Sequence, residues 1–141
     1  MDINIGIPAE QRQTIADGLS RVLADTYTLY LKTHNYHWNV TGPMFNTLHL
    51  MFEGCANRTG AGSGPDCGTH SCPGLPGPEM AAAYSRLSSI KEEEGVPNAQ
   101  DMIRNLVAGQ EAVACTARSL FPAVEEASDE PTADLIKCPS K

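Results

Sequence analysis

The sequence predicts an all-α protein: a bundle of long helices with one irregular interruption. Three observations carry that expectation. Ile15, Leu19, Val22, Thr26 and Leu29 recur at alternating steps of four and three, which keeps them on one stripe of a helix. Phe45, Leu48, His49 and Phe52 share one face of a second segment. Ile103, Leu106, Val107, Gln110, Val113, Ala114, Ala117, Leu120 and Phe121 trace a third amphipathic stripe.

In chain order, the first helix is expected over residues 8–38, broken by Thr41-Gly42-Pro43. The second begins next and is expected to stop at Gly54. Residues 54–78 differ in kind, holding seven of the chain's twelve Gly and four of its ten Pro, with Leu75 the only large aliphatic. Such a composition buries too little to offset the entropy of ordering, so an irregular segment is expected there. A short helix follows at about 79–90, ended by Glu92-Glu93-Glu94-Gly95. Asn98, after Pro97, is placed to cap the next helix, which runs to Pro122. Ser128-Asp129-Glu130-Pro131 signals a last helix, with a capping Ser, early acids and Pro in the first turn. Only about five residues then remain before Lys137-Cys138-Pro139-Ser140-Lys141, so this helix is clipped.

At 141 residues the chain is expected to form a single domain over 1–141. Its apolar runs are too short to span a membrane, and MDINIGIPAEQ lacks the apolar core of a secretory leader, so a cytoplasmic protein is expected. The net charge of −7 argues against a dedicated nucleic-acid binder, and no Lys precedes Lys32 to make a basic arm. An acidic surface suits a soluble protein or one that attracts cations. Of five Cys, three fall in the irregular stretch; in a cytosolic chain these read as thiols or metal ligands rather than a disulfide framework.

The residues that carry chemistry are His37, His49 and Glu53. The two His stand twelve residues apart on neighbouring helical segments, and Glu53 lies one turn beyond His49. His49 and Glu53 at i, i+4 face the same way. His37 joins them only if the two helices pack antiparallel. Imidazole and carboxylate together tolerate both oxidation states of iron. The neighbouring residues have plainer readings: His34 as a hydrogen-bonded polar residue, Trp38 as a core aromatic, and Glu92, Glu93, Glu94, Glu125, Glu126, Asp129 and Glu130 as solvated faces and caps.

His37-Trp38-Asn39, Gly42-Pro43 and Phe45 through His49 together resemble the Dps-type mini-ferritins, the starvation-induced iron-storage proteins of bacteria. Residues 88–94 and 128–134 resemble the family as well, and the likeness covers residues 5–53 and about 75–136. It implies a ferritin-like four-helix bundle with a short helix between its second and third long helices. It also implies a ferroxidase that oxidises Fe(II) with peroxide or dioxygen and stores ferric mineral in a hollow homo-dodecamer. The metal site would lie between two subunits. One subunit would give His37, His49 and Glu53, with Trp38 beside them; the other an Asp and a Glu from later in its second helix. Those acids are due fifteen and nineteen residues after His49, where this chain has Gly64 and Gly68. Three ligands alone imply weak metal binding and poor oxidation. DNA binding is a family possibility that the acidic charge does not support.

The codons permitted by residues 64–74, read one base forward, are compatible with the helix Asp-Leu-Ile-Ala-Glu-Arg-Ile-Arg-Ala-Leu-Gly. Its two acids fall at Gly64 and Gly68. A pair of compensating frameshifts around residues 54–74, real or from sequencing, would explain the tract, and a third near residue 137 the clipped end. Two other readings compete with iron storage. Cys55, Cys67, His70 and Cys72 offer the four ligands of a structural zinc, though without a Cys-x-x-Cys knuckle. A degenerate chain without function would leave the apolar stripes on 15–29 and 103–121 uncovered.

Overall fold

The computed structural model describes residues 4–69 and 81–137. All regular structure among the described residues is helical: α1 (Ala9–Asn39), α2 (Phe45–Thr69), α3 (Ala81–Leu87), α4 (Ala99–Glu126) and α5 (Glu130–Ile136). Three long rods and the short α5 make a four-helix bundle, with α3 between the second and third rods.

The α1 stripe is buried as its spacing requires: Ile15, Leu19, Val22, Thr26 and Leu29 all face inward. Thr41-Gly42-Pro43 ends the rod, with Gly42 at φ +109, a left-handed conformation in which a side chain would be strained. The chain reverses within residues 40–44. His37 then meets His49 and Tyr36 meets Phe52, so the partner's number falls as that on α1 rises, and the two rods run antiparallel. α4 is antiparallel to α1 by the same test. Asp25 meets Thr116 and Tyr36 meets Asn105, while Gly18 lies against Leu120 and Gly109 against Leu29.

Two apolar clusters fill the bundle. Leu29, Tyr36, Val40, Leu48, Phe52, Ile90, Met102 and Leu106 form one, next to the α1–α2 turn. Ile15, Leu19, Leu120, Val124 and Ala133 form the other, where α5 closes the far end. Each fully buried large side chain contributes about 1.5–3 kcal/mol relative to exposure.

Four expectations need correction. The second helix does not stop at Gly54; it runs to Thr69. Leu48, Phe52 and Ala56 bury its first part against α1, and Thr59 Oγ1 bonds back to the Cys55 carbonyl, so packing carries the helix through residues of poor propensity. Likewise α4 passes through Pro122 to Glu126, because Leu120 and Val124 are both buried around it. The inward register of α4 is Met102, Leu106, Gly109, Leu120 and Val124, whereas Ile103 and Val107 are exposed. The last helix is capped by Asp129, which accepts from the Thr132 N–H, rather than by Ser128, which takes φ +54. Its seven residues agree with a clipped element. Asn98 caps α4 as expected, accepting from the Asp101 N–H at 3.0 Å.

Candidate metal centre

His37 and His49 meet at the α1–α2 elbow. Their rings stack with centroids 3.8 Å apart and planes 26° apart. Each Nδ1 lies on the other residue's carbonyl, His37 Nδ1 on His49 O at 3.0 Å and His49 Nδ1 on His37 O at 2.9 Å. A carbonyl can only accept, so both Nδ1 atoms carry the proton. In the neutral rings both Nε2 atoms are then lone-pair donors. The local backbone explains half of this arrangement. The last bond of α1 runs from Val40 N–H to the Tyr36 carbonyl, so His37 O is the first carbonyl left without a helical donor. His49 supplies it.

Glu53, one turn beyond His49, is exposed. Among the described residues, no group of three or more His, Cys, Asp or Glu is close enough to hold a metal ion. One protomer therefore brings the two imidazoles together but not the expected third ligand, Glu53. Gly64 and Gly68 lie on the helical continuation of α2.

The surroundings depart from the plain readings. Trp38 is not a core aromatic: it is 72% exposed, and its ring lies 5.3 Å from that of His34. His34 is not hydrogen-bonded through Nδ1, which is buried without a partner; the ring packs edge-on to Tyr30 at 4.6 Å. Met44, Phe45, Leu50 and Met51 are exposed with Trp38, which puts an apolar rim around the elbow.

Two polar networks along α1 were missed by the sequence reading. Asp25 is fully buried on α1, and its carboxylate accepts from Ser88 Oγ (2.9 Å), Ser89 N (2.6 Å), Ser89 Oγ (2.8 Å) and Thr116 Oγ1 (2.5 Å). Those four donors satisfy the buried charge and tie the segment after α3 to two rods. The signal was available: an acid in the apolar run Val22-Leu23-Ala24 needs donors brought from elsewhere. In the second network, the hydroxyl of buried Tyr36 donates to Glu93 Oε2 at 2.5 Å. Asn105 Nδ2 donates to Glu93 Oε1 at 2.6 Å and to Tyr36 Oη at 3.2 Å. Burial first, and then the Glu93 carboxylate, push the Tyr36 phenol well above its ordinary range. Glu93 is thus more than a solvated acid. A cleft of about 280 Å³ between α1 and α3 is lined by Tyr27, Lys32, Tyr36, Tyr84, Glu92 and Glu93.

Of the proposed zinc ligands, His70 and Cys72 lie outside the described residues. Cys55 is half-buried and accepts from Arg58.

The model of the ferritin-like domain matches residues 16–58, which contain His37, His49 and Glu53. A DNA protection during starvation protein of Brevibacillus brevis is 34% identical over 89% of this chain and 84% of its own length. The chain belongs to the Dps family. Its fold is that of Dps structures. The Dps protein of Bacillus brevis superposes with a TM-score of 0.85 at 31% identity, covering 92% of this chain and 87% of that one. The Dps protein of Vibrio cholerae gives 0.88 at 25% identity over 96% and 86%, and is described as a member of a superfamily of ferritin-like diiron-carboxylate proteins. Among the described residues, no helix of this Dps-family chain is long and apolar enough to cross a membrane.

Proposed function

We propose that this protein is an iron-binding mini-ferritin that oxidises Fe(II), holds the ferric product and so protects the cell from oxidative damage. The observation that carries the reading is the reciprocal seating of His37 and His49. A ring whose Nδ1–H is fixed on a carbonyl has its tautomer and orientation set, which is how ligating histidines are commonly held. Two such rings suit a borderline divalent cation better than a hard one. Iron here is the substrate.

In this reading His37 and His49 bind Fe(II) through Nε2, Glu53 adds a carboxylate as its side chain turns toward the pair, and Trp38 forms the lip of the site. Peroxide or dioxygen accepts the electrons. A second copy of the chain covers the apolar rim around the elbow, within a homo-dodecamer of the family type. That copy offers Gly64 and Gly68 where two carboxylates would complete the ligand set, so iron binding is weak and oxidation slow. The cytoplasm is the proposed location. The starvation-protection name of the relative motivates a test for DNA binding, although the net charge of −7 opposes it.

Anaerobic titration with Fe(II), followed by addition of peroxide and optical detection of Fe(III), tests the reading. Saturable binding that is lost in His37→Ala and His49→Ala supports it. Iron oxidation equal to that of a protein-free blank, or unchanged in the double variant, overturns it. Gel filtration separates a hollow assembly from a monomer, the result expected of a degenerate chain.

A further inference from the structure

The face of α4 turned away from α1 is not evenly polar. Val107 is 54% exposed and Ile103 38%, and Ala114 lies in solvent with them. At 3.6 residues per turn these three share one side of the rod. Arg104 and Glu111 stand on the other side of Val107, two turns apart, and both are exposed. Arg104 meets Asp101 of its own helix through one guanidinium nitrogen and keeps further N–H groups for another acid. Among the described residues, Glu111 has no ion-pair partner.

This face is open because α5 is short. α1 packs against both α2 and α4, while α5 reaches α4 near Leu120 and Val124. α5 has 7 residues and α4 has 28. At 1.5 Å per residue, that is roughly 10 Å of cover along a rod of roughly 42 Å, so α5 stops well short of Val107.

We infer that α4 pairs antiparallel with α4 of a second copy of this chain, about a two-fold axis at Val107. A two-fold contact uses one patch twice, so the patch must complement itself. This one does. With the axis between residues 107 and 108, Arg104 comes level with Glu111 of the second copy, and Glu111 with its Arg104. The two ion pairs lie on the same flank, one on each side of the axis. Val107 falls on its own symmetry mate, and Ile103 comes nearly level with Ala114, a large side chain over a small one. A parallel pair would set Arg104 on Arg104 and Glu111 on Glu111, which like-charge repulsion rejects. The contact is narrow and belongs to the weak, reversible class. It uses other residues than the elbow contact, where Phe45 packs on His49, and it holds whether or not iron is oxidised.

Sedimentation velocity on full-length Phe45→Glu protein, which lacks the elbow contact, reads the α4 pairing alone. A reversible dimer is expected at a few hundred micromolar. Arg104→Glu and Glu111→Arg should each weaken it by about tenfold or more, and the two together should restore it to within about threefold. Circular dichroism confirms that each variant is folded. A second arm needs no elbow variant. In the parent background, mild oxidation with diamide should link Val107→Cys into a disulfide dimer several-fold faster than Ser119→Cys, an exposed position a third of a turn round the same rod. A Phe45→Glu protein that folds and stays monomeric at that concentration overturns the proposal. So does a charge swap that fails to restore the dimer. If Phe45→Glu does not fold, the cysteine pair decides, and equal linking at 107 and 119 ends the case. None of these outcomes bears on Fe(II) oxidation, which is read separately.

Discussion

His37 and His49 each cap the other's backbone: two Nδ1–H groups and two carbonyls close a reciprocal pair across the α1–α2 elbow. The arrangement ties site chemistry to stability. His49→Ala removes one proposed ligand and also leaves His37 O without its donor. We expect a loss of about 1–3 kcal/mol in urea unfolding, the range for stranding hydrogen-bonding groups, together with loss of Fe(II) binding. Nitrogen chemical shifts should show both rings protonated at Nδ1 at neutral pH; a mixture of tautomers would contradict the geometry.

The glycines at 64 and 68 give the most direct gain-of-function test. Both positions are helical, so Gly64→Asp combined with Gly68→Glu adds carboxylates one turn apart without asking for new secondary structure. Replacing glycine within a helix should also add about 0.3 kcal/mol for Asp and about 0.5 kcal/mol for Glu. Faster Fe(III) formation, by about tenfold or more, is the expected result, comparable to what supporting groups contribute at metal sites. A higher melting temperature with no gain in oxidation would detach these positions from the metal chemistry. Sequencing the gene across residues 53–75 tests the frameshift origin separately.

Asp25→Ala removes the carboxylate that accepts from Ser88, Ser89 and Thr116. Hydrogen bonds to a charged group are worth more than neutral ones, and the stranded donors partly recover water, so we expect about 2–5 kcal/mol of destabilisation. Amide hydrogen exchange at Ser89 should accelerate more than exchange in α2, because the Ser89 N–H is itself one of the donors. Uniform acceleration would instead mean global loosening.

Gly109 is needed for the approach of α4 to α1. A Cβ there would stand 2.5 Å from Leu29 Cδ1, at the end of a side chain that is itself buried in the core. The Leu29 tip must turn away, so Gly109→Ala should lower stability by about 1–3 kcal/mol despite its better helix propensity. Pairing it with Leu29→Val should recover part of that loss. Unchanged unfolding midpoints would show that the rods can part without penalty.

The Tyr36 phenol gives a pH prediction. In the unfolded chain it loses its proton near the ordinary 10.0, whereas the folded chain holds the proton to higher pH. Above about pH 10 the unfolded state therefore binds fewer protons than the native one, and stability falls as pH rises. The contribution is intact below that point. Tyr36→Phe should flatten this alkaline limb in unfolding curves followed between pH 8 and pH 11; identical limbs would refute the assignment.

The rods of the bundle were legible because periodicity reports burial directly. The α1 stripe, the Thr41-Gly42-Pro43 break and the Asn98 cap all came from local chemistry that tertiary structure had no reason to override. The errors arose where packing decides. Gly54 and Pro122 read as stops, yet apolar neighbours on both sides of each hold the helix through them. His37 and His49 were legible as a pair because motif and spacing agreed. The exposure of Trp38 was not, since a large aromatic beside a buried stripe gives no local sign of which way it faces. The Tyr36–Glu93–Asn105 network spans 69 residues of sequence, and no pattern of short period can reveal it.

The chain contains a single tryptophan, and it stands in solvent on the lip of the imidazole pair. Its fluorescence is therefore a built-in optical gauge of the elbow, with no label required. A ring in water emits at long wavelength. A neighbouring copy settling over it would shift the emission to the blue, and a paramagnetic ion held at the histidines would dim it. One emission spectrum, recorded against protein concentration and then against added iron, would follow self-association and metal loading as separate events at one residue.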